Sequence, residues 1–196
     1  VLSRGKYCRV IPQNRKSERN CLECLLRQLT DIFMKGKDFS MEKTTRLKRD
    51  LAYTGTILKI YRDTVVANGI EEVYDYIHHD GAAAVLPVTK DGKILMVRQY
   101  RNALDRFTLE IPAGKLDAPD EPKIECAARE LEEETGFRSE TLEFLMTVNT
   151  TVAFCDEQIG VYIAKDLIPS KQHLDADESI DVEEWEVKDL LDMIYT

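Results

Sequence analysis

The sequence predicts an α/β chain of the mixed α+β kind, and three observations carry that reading. Runs of β-branched and aromatic residues separated by turn signals fill residues 53–116 and return between 142 and 187. Between those two regions one helix is written with two faces of opposite character. Hydrophobic content of 43% with charged content of 32% is that of a globular protein, and no apolar run approaches the roughly 20 residues that span a bilayer.

Residues 1–40 stand apart. They carry nine Lys or Arg against four Asp or Glu, whereas residues 41–196 carry 18 against 32, a net −14. The acidic body repels nucleic acid, so no nucleic-acid partner is expected, and a membrane role is not expected either. Leu22, Leu25, Leu26, Leu29, Ile32 and Phe33 give residues 1–40 one helical pattern. Cys21 and Cys24 sit inside it, but with Cys8 they make only three ligands, short of a zinc site. The segment opens with Val, and Met41 is preceded by Lys35-Gly-Lys37, which a purine-rich ribosome-binding run can encode. Residues 1–40 are therefore expected to be translated upstream sequence, with Met41 as the native start. Five cysteines, an odd number, are read as reduced thiols. With no charged-then-apolar leader at its start, the chain is expected to be cytoplasmic.

The strands follow in order. Thr56 to Val66, a turn at Asn68-Gly69, and Glu72 to His78 read as a hairpin or meander within an N-terminal strand segment, 41–80. Adjacent His78 and His79 must point to opposite sides of a strand and, with no third ligand nearby, are read as structural. The remainder, 81–196, reads as one domain. Gly81 to Val88 is a buried strand, Thr89 to Gly92 a turn, Lys93 to Tyr100 the next strand, and Thr108 to Leu116 follows a polar loop.

In the helix, Ile124, Ala127, Ala128 and Leu131 fall at i, i+3, i+4 and i+7, one apolar stripe. Asp120 is the expected N-cap, with Glu121 and Pro122 in the first turn, and Gly136 the left-handed stop. Glu130 and Glu134 share the opposite face with Glu133 beside them. At about 5 Å and an effective dielectric of about 20, each like-charge pair costs roughly 3 kcal/mol. Two readings meet that cost: a solvated face relieved by Arg129 pairing with Glu133 at i+4, or a hard divalent cation that takes carboxylate oxygens and bridges to phosphate.

Beyond the helix, Leu142 to Thr150 and Ile159 to Ala164 read as neighbouring strands. A polar loop from Ser170 to Glu178, expected to be mobile, could cover a site. A strand from Ser179 to Val187 and a closing helix with Val187, Leu190, Leu191 and Ile194 apolar complete the chain. That helix and Trp185 are expected to pack on the sheet.

The helix and the loop before it resemble the Nudix box, Gly-x5-Glu-x7-Arg-Glu-aliphatic-x-Glu-Glu-x-Gly-aliphatic. Arg129, Glu130, Leu131, Glu133, Glu134 and Gly136 are in place, and Phe137 fills the last apolar position. Glu121 departs from the pattern: it lies seven positions after Gly114 where the box has six, an extra residue in the turn Asp117 to Asp120. Val97-Arg-Gln-Tyr-Arg101 and Leu109-Glu-Ile-Pro-Ala-Gly114 are similar to the phrases that lead into the box in the ADP-ribose pyrophosphatase branch. Thr151-Val-Ala-Phe-Cys-Asp-Glu157 resembles that branch's Ser-Pro-Gly-Phe-Cys-Asp-Glu loop, with Val152 and Ala153 in place of Pro-Gly.

The resemblance implies an α/β/α sandwich around a mixed sheet, with an N-terminal antiparallel strand extension that crosses to a partner in a homodimer. It implies Mg²⁺, with Mn²⁺ as the alternative, held by Glu130, Glu134, Glu133 and the backbone carbonyl of Ala113. It makes Arg101 a diphosphate contact, against a surface strand-end arginine. Glu110 would meet a ribose hydroxyl or a second metal, against a structural role. Glu133 or Glu157 would take the proton from water, Glu157 being otherwise a solvated loop acid, and Arg129 would be held by Glu133. The implied reaction is hydrolysis of ADP-ribose, a small nucleoside diphosphate substrate, to AMP and ribose 5-phosphate. A nucleotide sugar as substrate, or a non-catalytic nucleotide sensor, are the alternatives.

Overall fold

Asn68 and Gly69 both adopt left-handed backbone, φ 52° and 76°, as a two-residue hairpin turn requires. They join β2 (Lys59–Ala67) to β3 (Ile70–His78) in this computed structural model, which describes residues 42–195. The expectations for residues 1–40, including Cys8, Cys21, Cys24 and the start at Met41, lie outside the described residues. A further strand, β1 (Thr45–Thr54), precedes the hairpin and pairs antiparallel with β2. Sequence reading began the strands only at Tyr53. Two register shifts, between Arg46 and Lys48 and between Leu51 and Tyr53, break the alternation of β1, and basic residues fill it. The three-stranded sheet is pinned by a buried Asp63 that accepts both arms of the Arg49 guanidinium at 2.6 and 2.5 Å, while Arg49 lies 3.5 Å from the Tyr76 ring centroid.

The body is built on a four-stranded mixed sheet in the order β7 (Ala113–Lys115), β4 (Ala82–Pro87), β10 (Gln158–Lys165), β9 (Thr141–Asn149). Here β4 and β10 run parallel and the outer pairs antiparallel. A second, antiparallel sheet orders β12 (Ile180–Trp185), β5 (Ile94–Arg101) and β6 (Arg106–Glu110). Two-residue strands β8 (Phe137–Arg138) and β11 (Ile168–Pro169) pair with each other. Ala83, Val85, Tyr162 and Ala164 from the sheet, with Leu116 just after β7, meet Cys126, Ala127 and Leu131 of helix α1 (Lys123–Thr135) in the core. Burying Leu131 alone contributes roughly 2 kcal/mol.

That helix differs from the sequence expectation in two ways. It begins at Lys123 after Pro122, and neither Asp120 nor any other side chain caps it. Gly136 does end it, at φ 70°. The buried stripe is Cys126, Ala127, Leu131, Glu134 and Thr135, so it is turned from the expected one, and Ile124 is 43% exposed. The turn brings Glu134 inward.

The closing helix α2 (Val187–Ile194) buries none of its residues: Leu191 is 46% and Ile194 72% exposed. Its expected packing on the sheet is not seen, and the Trp185 indole N–H is bound to Glu183 at 2.9 Å. The β1–β3 sheet meets the body through a parallel bridge between Ile77 and Cys155. Around it, Ile77 N–H donates to Phe154 O at 2.7 Å, and Tyr76 and His78 both engage the Asp156 carboxylate. Both histidines have local structural partners, since His79 Nδ1 accepts the Gly81 amide at 3.1 Å. Cys126 and Cys155 are free thiols.

Candidate active site

One cleft of about 400 Å³ collects most of the expected residues. Helix α1 gives it Arg129, Glu130, Glu133 and Glu134; strand β7 gives Ala113, Gly114 and Lys115; strand β5 gives Gln99 and Arg101. The rest of its lining is Asp117 and the 173–178 segment, with His173, Asp175, Asp177 and Glu178.

Glu134 is 4% exposed, and its Oε2 accepts the Ala113 amide at 3.0 Å. Burial, with Glu130 and Glu178 nearby, pushes its carboxyl up to about 8, against the opposing pull of the Ala113 N–H. Burial also raises the Glu130 carboxyl, although Arg129 beside it works the other way. Glu130 lies flat against Gly114, where a Cβ would stand 2.0 Å from Oε1. A side chain at this position would have to displace the Glu130 carboxylate, which takes that space.

Arg129 is the hub of the acidic face. Its Nη1 reaches Glu130 at 2.7 Å and Glu133 at 3.1 Å, and its Nη2 donates to Lys115 O at 3.2 Å. Glu121 adds a longer contact at 3.4 Å, and its Oε2 accepts the Asp117 amide at 2.7 Å. The extra residue between Gly114 and Glu121 is thus absorbed in the turn that this bond closes. Burial works against the Arg129 charge, and the hydrogen bonds to Glu121, Glu133 and Glu130 hold it protonated.

Arg101 is in the cleft, but not with its donors free. Nε and Nη2 form a fork with Glu110 at 2.8 and 2.5 Å, so Glu110 is tied to Arg101 rather than open to ligand. Glu157 does not line this cleft. Its carboxylate accepts the Thr150 hydroxyl at 2.6 Å and stands 3.5 Å from His79 Nδ1. His79 in turn lines a second cleft of about 250 Å³, which shares Lys115 and Asp117 with the first.

Glu178 was not singled out from sequence. The segment that carries it is stapled to the end of α1: Ser170 N–H donates to Gly136 O at 2.7 Å, Gln172 Nε2 to Glu134 O at 2.7 Å, and His173 N–H to Glu133 O at 3.0 Å. These bonds tie residues 170–173, the first part of the polar loop, to the end of the helix. The legible signal was three acids, Asp175, Asp177 and Glu178, directly before a strand.

The donor types suit a hard divalent cation. Carboxylates crowd a cleft where one of them is pushed toward neutrality, and bare backbone at Gly114 leaves room for another. Among the described residues no group of three His, Cys, Asp or Glu side chains is arranged to hold a metal ion, and Arg129 pairs with both Glu130 and Glu133. Among the described residues no helix is long and apolar enough to cross a membrane.

The model of the NUDIX domain matches residues 78–194. The chain belongs to the Nudix family. Three relatives show the range of named activities around this Nudix chain. It is 39% identical over 158 residues to an ADP-ribose pyrophosphatase of Bacillus subtilis (strain 168), covering 79% of this chain and 84% of that one. It is 40% identical over 162 residues to the methanol dehydrogenase activator of Bacillus methanolicus, covering 81% and 85%. An ADP-ribose pyrophosphatase of Mycobacterium tuberculosis (strain ATCC 25618 / H37Rv) is 36% identical over 136 residues, covering 67% and 66%. The crystal structure of an ADP compounds hydrolase shares the fold at a TM-score of 0.70 and 23% identity, covering 80% of this chain and 85% of that one. This Nudix chain is a hydrolase acting on a nucleoside-diphosphate-linked compound, in a family that generally uses divalent metal ions.

Proposed function

We propose that the protein hydrolyses the diphosphate of ADP-ribose to AMP and ribose 5-phosphate with Mg²⁺, Mn²⁺ being the alternative ion. The observation that carries the reading is the cleft itself: Glu130, Glu133 and Glu134 of helix α1 form one wall, and Arg101 of strand β5 lines the same cavity. Two relatives named ADP-ribose pyrophosphatase support the choice of substrate.

Glu130 and Glu134, with Glu133 and the Ala113 carbonyl, would hold the cation, which when bound neutralises diphosphate charge and acidifies water. Arg129 orients Glu130 and Glu133 through its Nη1. Arg101 meets the diphosphate with the guanidinium edge that Glu110 leaves free. Water attacks one phosphorus in line, and a cleft carboxylate takes its proton. Glu133 is engaged by Arg129, whereas Glu178 accepts the Asp175 amide at 3.2 Å, so Glu178 is assigned the proton in this scheme. Glu157, outside the cleft, takes no step in this scheme.

Phosphorus NMR of the protein with Mg²⁺ and ADP-ribose, beside nucleotide sugars and dinucleotides, tests the reading. ADP-ribose should disappear fastest, into two phosphomonoesters. Faster loss of a nucleotide sugar moves the substrate to that class. Faster loss of a dinucleotide moves the substrate to that class. Binding without product turns the protein into a sensor.

A homodimer is part of the same proposal. Leu47, Leu51, Tyr53, Ile70 and Val73 of the β1–β3 sheet are each more than half exposed, as is Phe144 of β9. Single exposed apolar residues are ordinary, but five on one three-stranded sheet support a covered surface there. Sedimentation equilibrium should give twice the chain mass, and Leu51→Glu should return it to the monomer value; a wild-type monomer at micromolar concentration would sink the dimer.

A further inference from the structure

The fork between Arg101 and Glu110 does not stand alone. Gln99 faces Thr108 across β5 and β6, Arg101 faces Arg106, and Val97 faces Glu110. Alternate residues share a face, so Thr108 and Glu110 project together from β6, and Gln99 and Arg101 from β5. Gln99 and Arg101 reach the acidic cleft from there. Thr108 Oγ1 lies 2.6 Å from Glu110 Oε1 and 3.3 Å from Gln99 O. Its single proton goes to the shorter, charge-assisted bond.

The order of holding is therefore Thr108 to Glu110 to Arg101. Glu110 takes the Arg101 Nε proton at 2.8 Å and one Nη2 proton at 2.5 Å. The guanidinium has five N–H donors in a planar fork, so the Nη1 edge remains for a ligand. An arginine held in this way loses little rotamer freedom when it meets an anion. The Arg101 side chain is still 43% exposed, against 26% for Glu110. The titration of the pair agrees: hydrogen bonding to Glu110 raises Arg101, and hydrogen bonding to Arg101 lowers Glu110.

We infer that Thr108 is a positioning residue for the hydrolase: its hydroxyl fixes Glu110, and Glu110 turns the Nη1 edge of Arg101 toward an anionic oxygen of the substrate diphosphate. The inference rests on the hydrolase reading above and adds to it a residue that touches neither substrate nor metal. It also gives Glu110 its task, as the holder of Arg101.

Thr108→Val keeps the β-branched shape and removes the donor, and Thr108→Ser keeps the donor. With ADP-ribose and Mg²⁺, Thr108→Val should raise KM about fivefold, the worth of one hydrogen bond, with kcat within about twofold. Thr108→Ser should restore KM. In an Arg101→Ala background, Thr108→Val should add nothing further, because the group it acts through is gone. Unchanged KM in Thr108→Val overturns the inference, as does a Thr108→Ser variant as impaired as the valine, or full additivity with Arg101→Ala. Wild-type turnover is measured first. If wild-type protein consumes no diphosphate, the functional reading fails by itself, and the Thr108 series is read as the Kd of ADP-ribose by calorimetry. There a fivefold weaker Thr108→Val supports the positioning role, and equal affinity, or no binding by wild type, overturns it.

Discussion

Glutamine in place of Glu134 is expected to lower kcat by at least about 10³-fold while the protein stays folded. The substitution keeps the size of the side chain, and its amide oxygen can still accept the Ala113 N–H that Glu134 takes at 3.0 Å. What is lost is the charge. The same variant has a thermodynamic signature of the opposite sign. The Glu134 carboxyl is raised from 4.5 to about 8 in the fold, so its neutral form is the one the metal-free protein favours. Its contribution to stability is complete below about 4.5 and is lost as pH rises through about 8. With EDTA present, wild-type protein should therefore lose melting temperature between pH 5 and pH 9. Glu134→Gln should lose less, ending roughly 5 °C above wild type at pH 9. Steady-state kinetics and thermal scanning check the two halves. Turnover near wild type, or parallel melting curves at all pH values, would refute the role given to this carboxylate.

Alanine at Gly114 is expected to cost about 100-fold in turnover, the scale of a misplaced catalytic group. Its Cβ would fall 2.0 Å from Glu130 Oε1 and 2.2 Å from Cδ. The atoms in the way belong to the end of a side chain, so the fold survives and the carboxylate moves. Shortening the obstacle separates this from a backbone effect. Gly114→Ala combined with Glu130→Asp should be no worse than Glu130→Asp alone, since the shorter side chain already vacates the contested space. Circular dichroism establishes folding and kcat/KM gives the coupling; two independent losses that multiply would show that the residues do not meet.

Much of this site could be read from the chain because it is local. Glu130, Glu133 and Glu134 share a helix, and a 3.6-residue repeat puts them together whatever the rest of the protein does. Strands β2 to β5 were legible for the same reason, from alternation and from the Asn68-Gly69 turn. Helix facing was harder. Ile124 was placed in the core by spacing, yet the sheet offers Ala83 and Val85 to Cys126, Ala127 and Leu131, and tertiary contact overrode the pattern. Glu178 was hidden because its place depends on bonds from Ser170, Gln172 and His173 to the end of α1, all between residues about 40 apart or fewer. Arg101 was recognised as a cleft residue, but its fork with Glu110 depends on the pairing of β5 with β6, which no single segment encodes. The apolar positions of α2 have a helical period, and period alone does not say that anything covers them.

The bond between Glu121 and the Asp117 amide bears on how such a box is to be recognised at all. Glu121 is displaced by one position from the family pattern, yet it still closes the turn ahead of the helix and still reaches Arg129. The added residue falls between Gly114 and Glu121, upstream of the carboxylates that helix α1 gives the cleft. A search template with rigid spacing would discard a chain in which this acid still makes both contacts. A template that asks for an acid able to return to the main chain four residues earlier, followed by the helix, would retain it, and would let the intervening turn vary in length as freely as any other surface loop.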